Sequence, residues 1–480
     1  MRKLTAISAL AAFGFMSCGA SAVTYYVASS GSDSNPGSQS EPWGTVQKGI
    51  DSAQAGDNIL VGEGTYDEVL VTARSGASDQ RIVLDGQGLA TIERITLKHS
   101  YITLKGFRIS GNTAQFSAMV KLGLGAHHCI LSANVVDPNR ALKVQGIAWD
   151  VGSSSPPYDP AAASNCTLVS NTITRVLGAV CISIGGQNNL VLGNTITNVY
   201  QVDIFRLWGR NNTIRRNFAA DHFDDPSTGF HMDWIQTFGA NGLGSEGHLL
   251  EQNVAMNMPK CQLTQIEPDG VAEIRNWTFR NNIFSGIANG STISIPGTVW
   301  YNNLFFGCNT NSSPTYSGAH ALNFGVDPEG GQADGTIVKN NIFIDCGDGR
   351  DTVGWYSFNV ALTNVQADWN FATKHYLAVH AGSNPVGSPE RVNKDNFAFY
   401  EENGINGGNP LFVDEARRNF RLQPDSPLEG RGVAIAGFSN DADGNVRPQG
   451  SGWDIGAYEI TGGIVDTKPE PPTRLQVLDE

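Results

Sequence analysis

Acidic, basic and amide side chains are crowded into one stretch of this sequence, between residues 203 and 267. Four short runs carry them: Asp203–Trp208, Asp221–Asp225, His231–Gln236 and Gln262–Glu267. Carboxyl groups and histidine transfer protons, arginine neutralises an anion, and amides and tryptophan bind the hydroxyls and faces of sugars. The combination favours a site that binds a carbohydrate and performs acid–base chemistry on it.

The glycines Gly186, Gly209 and Gly239 each end a short run of strand-forming residues, and they bring three runs into register. Side chains of a strand alternate between its two faces. The alternation predicts two inward columns: Ile182, Phe205 and Ile235, and Ile184, Leu207 and Thr237. It predicts two outward columns that would form a sugar-binding strip: Ser183, Arg206, Gln236 and Gln265, and beside them Cys181, Ile204, Trp234 and Leu263.

Three residues are the candidates for catalysis. His231 and Asp233 lie two positions apart beside an insertion, so His231 is the candidate base and Asp233 would orient it. Arg206 would neutralise the carboxylate of a substrate. Substrate contacts are expected from six further side chains: Gln236, Gln265, Trp234, Trp208, Glu267 and His222.

Structural interpretations of the same residues stay open. Arg206 could form an ion pair with Asp203 or Asp233 that only stabilises the fold. Gln236 and Gln265 could form an amide ladder that supports the stacking of strands. The site residues therefore remain hypotheses at this point.

Two acidic runs could bind calcium, which prefers clustered carboxylates. Asp224 and Asp225 precede a proline, so they form either a turn or a metal site. The run Asp441–Asn445 resembles a calcium-binding loop, although a turn is the favoured interpretation.

A short repeat organises most of the chain. Two or three β-forming residues, two variable residues, an asparagine and an apolar residue recur, and Asn171, Asn194 and Asn217 are separated by 23 residues each. Longer intervals contain the same period with an inserted loop. The period predicts a solenoid of roughly ten coils between about residues 80 and 375, with the asparagine at the same corner of each coil. The repeat asparagines are Asn134, Asn171, Asn194, Asn217, Asn253, Asn282, Asn303, Asn341 and Asn370.

Both ends of the chain carry distinctive motifs. Thr24–Val27, Gly31–Gly37, Pro42–Gln47 and Gly62–Glu68 resemble the N-terminal cap of secreted bacterial β-helix carbohydrate-active enzymes, among them pectate lyases and some β-helix glycosidases. Asn409–Asp414 and Asp454–Glu459 are similar to the end module that closes many bacterial β-helix surface proteins.

The resemblance implies an all-β, right-handed parallel β-helix. A short amphipathic helix, Gln47–Ala53, would cap the open end of its core. The expected organisation is an N-terminal cap over 23–80, a parallel β-helix catalytic domain over 81–400 and a closing module over 401–460. A proline-rich tail would follow over 461–480.

The N-terminus predicts export. Met1–Lys3 is basic, Leu4–Met16 is apolar, and Ala20–Ala22 is a small-residue cleavage site, so residues 1–22 are expected to be a secretory signal peptide. Lipidation at Cys18 is the less favoured alternative. We expect a secreted or periplasmic protein without a membrane span, since no other apolar run approaches about 18 residues.

Charge and cysteine content limit the remaining choices. A formal net charge of −14 without a basic tract argues against a nucleic-acid partner, and we expect a monomer that acts on an extracellular polysaccharide.

Two pairs of cysteines occupy the same column of neighbouring coils: Cys129 with Cys166, and Cys308 with Cys346. Each pair would be either a disulfide or a stack of buried thiols.

Three functions are compatible with these features. The first is a lyase that cleaves a uronic-acid polysaccharide of the alginate or pectate type by β-elimination; a uronan epimerase shares its first step. The second is a glycoside hydrolase, in which Asp233 would work with Glu267, Asp203 or Asp225. The third is a glycan-binding surface protein without catalysis, in which Trp208 and Trp234 would be sugar platforms.

Overall fold

The chain folds into a right-handed parallel β-helix, as expected. The computed structural model describes residues 22–111, 117–151, 159–225, 229, 232–239, 243–268, 273–308, 310, 320–325, 332–346, 354–358, 362–373 and 401–461. The expected signal peptide, Cys18, His231 and the tail beyond residue 461 lie outside these ranges. Within them, no helix is long and apolar enough to cross a membrane.

One face of the β-helix is a 13-stranded parallel sheet. Its strands are short because each coil turns a corner after three or four residues. They are Thr24–Val27, Asn58–Val61, Ile82–Asp85, Ile102–Lys105, Ile130–Ser132, Thr167–Val169, Leu190–Leu192, Thr213–Arg215, Leu249–Glu251, Thr278–Arg280, Val299–Tyr301, Ile337–Lys339 and Gln366–Asp368.

The other two faces belong to one 21-stranded sheet that bends around the core. The strands that follow the asparagine corner are Gly64–Val71, Ala90–Leu97, Arg108–Ile109, Val135–Val136, Thr172–Thr174, Thr195–Tyr200, Phe218–Phe223, Val254–Ile266, Ile283–Asn289, Leu304–Phe306, Ile342–Ile344, Phe371–Ala372 and Ile405–Asn406. The strands of the third face are Ala118–Leu122, Gln145–Trp149, Val180–Ile184, Asp203–Leu207, Asp233–Thr237, Thr292–Ile293, His320–Phe324 and Gly354–Phe358. Short strands at Gly209–Arg210, Ser245–Glu246 and Ile274–Arg275 form a small third sheet.

The repeat asparagines form a continuous buried ladder along one corner. In each step, the backbone N–H and the side-chain amide of one asparagine donate to the side-chain oxygen of the next, at 2.8–3.1 Å. The carboxylate of Glu401 takes the last place, accepting both bonds from Asn370. From Asn134 to Asn370, the ladder therefore satisfies a backbone N–H at each turn of the chain out of the 13-stranded sheet.

On the coils that carry a ladder asparagine, residues with a left-handed backbone conformation lie on both sides of each strand of the 13-stranded sheet. The residue just before each ladder asparagine has a φ of 53–61°, and the residue six positions before it has a φ of 53–72°. Asparagine and glycine adopt this conformation at low cost, which is why they recur at the corners. Arg216 and Trp369 adopt it too, held by the stacked coils on either side.

The N-terminal helix covers the open end of the core, close to where the sequence predicts it. It spans Val46–Ser52, and the Thr45 hydroxyl accepts from the Lys48 N–H at 3.3 Å. The carboxylate of Glu68 accepts from the first two helical N–H groups at 2.8 and 2.9 Å, so a negative charge lies at the helix N-terminus. The two strands that flank the helix in sequence already belong to the 13-stranded sheet, so the β-helix begins at Thr24.

The C-terminal segment packs along the side of the last coils. Its hairpin, Phe412–Asp414 with Asn419–Leu422, buries apolar side chains against the outer surface of the second sheet. At the asparagine corner, Asn302 donates to the Asp454 and Gly456 carbonyls at 3.2 and 3.0 Å, and neighbouring coils repeat this contact through Gln252, Asn281 and Asn340. These four polar residues stand directly before the ladder asparagines on the coils where the segment docks.

The cysteine columns are stacks of separate, buried thiols. Cys129 and Cys166 lie on adjacent coils, with the Cys129 N–H 3.4 Å from the Cys166 sulfur, and neither is in a disulfide. Cys308 and Cys346 are likewise free and buried. The thiol interpretation of both columns is therefore the one that the structure adopts.

We predict that Asn217→Ala lowers the free energy of unfolding by about 3 kcal/mol or more, because it removes the acceptor of the buried Asn194 N–H and interrupts the ladder. The matched control is Asn188→Gly, at an exposed left-handed position that glycine tolerates. Urea unfolding followed by circular dichroism measures both variants. Equal losses of unfolding free energy in the two variants would mean that the hydrogen bonds of the ladder contribute no stability of their own.

Candidate functional site

The predicted outward column exists on the third face. Ser183 pairs with Arg206, Arg206 with Gln236, and Gln236 with Gln265 on successive strands. Arg206 and Gln265 are partly exposed, whereas Gln236 is almost fully covered. The glycine-based alignment of these coils was therefore correct.

The second predicted outward column is wrong. Cys181, Ile204, Trp234 and Leu263 are fully buried in the main core. Trp234 packs edge-on against Phe205 and Phe284, so it cannot be an exposed sugar platform. The strand pairing skips this position on each coil, for example between Val180–Asp203 and Ile182–Phe205. Two consecutive residues face inward there, and strict alternation fails.

That break in alternation brings two carboxyl groups together. Asp203 and Asp233 start neighbouring strands of the third face, and both are buried. The Asp233 N–H donates to the Asp203 carboxylate at 3.2 Å, and the two carboxyl groups share a side-chain hydrogen bond. Arg206 forms an ion pair with Asp203. We call these three residues the Asp203–Arg206–Asp233 group.

Burial raises the pKa of Asp233 well above its usual range, and the charges of Asp203 and Glu267 raise it further. Burial also raises the pKa of Asp203, but there the Arg206 guanidinium opposes the shift. Two carboxyl groups in contact cannot both ionise cheaply. Of the two, Asp233 therefore keeps its proton to the higher pH, while Asp203, which pairs with Arg206, ionises first.

Buried polar atoms without a hydrogen-bond partner are concentrated at this group. Within the described part of the chain they include Asp233 Oδ2, Gln236 Oε1, Trp234 Nε1 and Thr264 Oγ1, all on two adjacent strands of the third face. Such atoms are rare in folded proteins and call for an explanation. Their clustering favours a site that completes its hydrogen bonds with a ligand or with water.

An aromatic pair supports the guanidinium. Arg206 lies over the Phe238 ring, 5.3 Å from its centroid, and Trp208 meets the same ring edge-on. The Trp208 indole N–H donates to the Phe238 carbonyl at 3.0 Å, and only 8% of Trp208 is exposed. The sequence had suggested that Trp208 is an open platform for a sugar, and its burial shows that it is not. Phe238 was missed because a lone phenylalanine before a glycine carries no signal for a site.

His222 is a buried structural residue in this structure. Burial lowers its pKa to about 4, so the ring is neutral at neutral pH, and Nε2 accepts from the Val202 N–H at 3.1 Å. It faces the core, next to Val199 on the preceding coil. The expectation that it contacts substrate is corrected, because no part of the ring reaches the surface.

The remaining predicted residues divide by exposure. Glu267 and Gln265 are partly exposed at the end of the strand that follows Asp233. His231, the expected base, lies outside the described residues. The accessible part of the site therefore consists of Arg206, Gln265 and Glu267, with the buried Asp233 beneath them.

Calcium binding by the two acidic runs stays a prediction, and the structure describes the surroundings of their carboxylates. Asp225 pairs with Arg140 at 3.5 Å and its neighbour Asp224 is exposed. Among the residues that the structure describes, no group of three or more histidine, cysteine or acidic side chains is placed to hold a metal. Asp441 accepts from the Asp443 and Asn445 N–H groups at 2.9 and 2.7 Å, which is a turn, as favoured from the sequence.

Comparisons with known proteins agree with the fold. A family model described as "Protein of unknown function (DUF1565)" matches residues 29–71. The "Uncharacterized protein YwoF" of Bacillus subtilis (strain 168) is 28% identical over 125 residues, covering 22% of this chain and 27% of that protein. The match thus spans about a quarter of that relative's length.

Solved structures extend the comparison to the whole chain. The complex of XylC with xylose superposes with a TM-score of 0.59 at 13% identity, covering 91% of this chain and 98% of that chain. Pectate lyase Pel9A gives a TM-score of 0.48 at 15% identity, covering 92% and 97%. A mannuronic acid specific family 6 lyase from human gut microbiota gives 0.48 at 14%, covering 81% and 92%. The expected resemblance to parallel β-helix carbohydrate-active enzymes is confirmed at the level of the fold.

We predict that Asp233→Asn does not lower the melting temperature at neutral pH. The amide has the shape of the protonated carboxyl group and still donates to Asp203. Asp203→Asn, by contrast, removes the charge that pairs with the partly buried Arg206 and should cost about 3–5 kcal/mol. Thermal unfolding of the two variants in parallel tests this, and equal losses would contradict the placement of the proton.

The same pair predicts a pH dependence. A folded pKa above the unfolded value means that the folded state holds the proton longer, so this contribution to stability is present at low pH and is lost as pH rises from about 4 through the raised pKa of Asp233. The free energy of unfolding of Asp233→Asn, relative to that of the wild type, should therefore increase with pH. The total increase should be about 1.4 kcal/mol for each unit by which the folded pKa of Asp233 exceeds its unfolded pKa. Urea unfolding of both proteins from pH 4 to about 8 measures this difference. The histidines titrate in both proteins, so their contribution to the pH dependence cancels in the comparison. A constant difference would rule out a raised pKa.

Proposed function

We propose that this protein cleaves a glycosidic bond in an extracellular polysaccharide, using the Asp203–Arg206–Asp233 group together with Glu267. The observation that carries the proposal is a buried carboxyl pair, Asp203 and Asp233, next to several buried polar atoms without hydrogen-bond partners; the pKa of Asp233 is raised more strongly than that of Asp203. Environments that push two carboxyl pKa values apart are typical of acid–base catalysis.

Hydrolysis is the reaction that these residues support best. Asp233 would donate its proton to the leaving glycosidic oxygen, and Glu267 would take a proton from the attacking water. Asp203 and Arg206 would hold Asp233 and keep its proton available. XylC, which shares the fold, is described in complex with xylose, and this supports a saccharide as the ligand here.

β-Elimination on a uronic-acid polymer is the second candidate. Arg206, whose side chain is 18% exposed, stands next to Gln236 on the outward column, and together they would neutralise a uronate carboxylate. The sequence favoured this reaction over hydrolysis. The order changes because the pKa of Asp233 is raised well above its usual range, as a general acid requires, and a second, partly exposed carboxylate, Glu267, acts on it electrostatically.

The test uses purified protein and a panel of alginate, pectate, glycosaminoglycans and neutral glycans. Ultraviolet absorbance and reducing ends are followed together. New reducing ends without absorbance indicate hydrolysis, and an absorbing double bond indicates elimination. Cleavage of no polysaccharide in the panel would argue against both reactions and favour a binding protein.

We predict that Asp233→Asn and Glu267→Gln each lower kcat about a hundredfold or more, as expected for groups that transfer protons. Glu273→Gln is the matched control, because this exposed carboxylate lies on the same coil as Glu267. Among the ion pairs described, Glu273 pairs only with Arg275, whose side chain is 41% exposed. Initial rates on the cleaved polysaccharide measure all three. Wild-type rates for the two site variants would place the reaction elsewhere on the β-helix.

A further inference from the structure

The described charges of the candidate site sum to a negative value. Arg206 forms an ion pair with Asp203, so its positive charge is balanced within the site. Glu267 adds a second carboxylate, close enough to act electrostatically on Asp233. With Asp233 protonated, two negative charges stand against one positive charge, a net charge of −1, and ionisation of Asp233 makes it −2. The site is therefore negative in both protonation states of Asp233.

Basic side chains near the site are matched by carboxylates. Lys121 stands three strands before Arg206 in the same outward column, and its ammonium group lies 2.9 Å from the Asp150 carboxylate. Arg140, on a preceding coil, lies 3.5 Å from the Asp225 carboxylate. Because each of these cations has a carboxylate beside it, the pairs offer little net positive field to an anionic ligand.

Two further sources of positive charge lie away from the outward column. Lys260 is exposed, but it stands five residues before Gln265, roughly 15 Å along an extended strand. That separation exceeds the distance of about 8 Å over which exposed charges act at physiological salt. Arg108 and Arg175 share the buried carboxylate of Asp137 at strands that follow the asparagine corner, on a different face from the candidate site.

The unpartnered oxygens of the site suit hydroxyl groups better than carboxylates. Gln236 Oε1 is a buried acceptor without a hydrogen-bond partner in the described part of the chain, and Gln236 stands beside Arg206 on the outward column. A sugar hydroxyl can donate to this oxygen, whereas a uronate carboxylate has no hydrogen to donate. Asp233 Oδ2, which also lacks a partner, fits a hydroxyl in either protonation state of Asp233, because a hydroxyl both donates and accepts.

We propose that the candidate site binds an uncharged polysaccharide and discriminates against polymers of uronic acids. A polyuronate would bring a carboxylate on every sugar towards a site that is already negative, and the formal net charge of −14 for the whole chain adds to the repulsion. A neutral sugar meets no such repulsion and supplies hydroxyl groups for the unpartnered oxygens. The proposal differs from the uronic-acid substrate that the sequence favoured. It deepens the proposed function and rests on it only for the claim that the bound polysaccharide is cleaved.

Matched pairs of polymers isolate the effect of charge. Sodium polygalacturonate and sodium alginate are each compared with their carboxyl-reduced forms, which keep the sugar linkages but carry no charge, and neutral xylan is added. Binding of the intact wild-type protein to the immobilised polymers is measured by biolayer interferometry at low and at high salt. We expect an uncharged polymer to bind about tenfold or more tightly than either native polyuronate. High salt should strengthen the residual binding of the polyuronates, because it screens the repulsion.

Two variants test the residues that carry the argument. Glu267→Gln should raise the affinity for polygalacturonate about threefold or more at low salt, because it removes a negative charge from the site. Glu273→Gln, at a side chain that is 58% exposed and pairs with Arg275, should change that affinity less. Gln236→Met keeps the length of the side chain but removes its acceptor, and it should weaken the binding of the uncharged polymer about fivefold.

Two outcomes would overturn the proposal: tighter binding of a native polyuronate than of its carboxyl-reduced form, with salt weakening it, or binding of none of the polymers. The result also separates this proposal from the proposed reaction. Binding of an uncharged polymer without cleavage would support the ligand class and contradict the reaction. Cleavage of a native polyuronate in preference to its reduced form would support cleavage and contradict the ligand class.

Discussion

The buried asparagine ladder is the constraint on which the rest of this structure depends. A chain that turns a corner on every coil exposes backbone N–H groups that no strand pairing can satisfy, and an unpaired buried N–H is costly. Each ladder oxygen accepts from one such N–H, so a coil out of register would leave two coils unsatisfied. Glu401 completes the series at Asn370 with a carboxylate, which accepts both bonds but needs no further acceptor.

Because the ladder fixes how each coil sits on the next, residues far apart in sequence become neighbours along columns. Asp203 and Asp233 are separated by 30 residues, yet they start adjacent strands and share a hydrogen bond. The insertions between ladder residues do not disturb this arrangement, since each one begins and ends at a corner. The chemistry of the site is therefore a property of the stacking, and it does not require the two acids to lie near each other in the chain.

Sequence reasoning succeeded where one residue type has one structural reason to recur. The ladder and the Ser183–Arg206–Gln236–Gln265 column follow from period and alternation, and the capping helix was implied by the resemblance of the N-terminal motifs. It failed at Trp234, because the inward bend of the strand is set by packing against Phe205 and Phe284 rather than by local sequence. The raised pKa of Asp233 could not be predicted either, since it depends on burial by several elements at once.

The carboxyl pair is expensive for folding, and this bears on what it does. Two acids and one guanidinium withdrawn from water gain less from their mutual attraction than apolar side chains of similar volume would gain from packing. The neighbouring columns show that this fold can fill the same face with apolar or small residues, as at Val180 and Ser183 one coil earlier. Stacking alone therefore does not require Asp203, Arg206 and Asp233. Their cost is confined to the coils where polar atoms lack partners, as expected for a site shaped by a ligand.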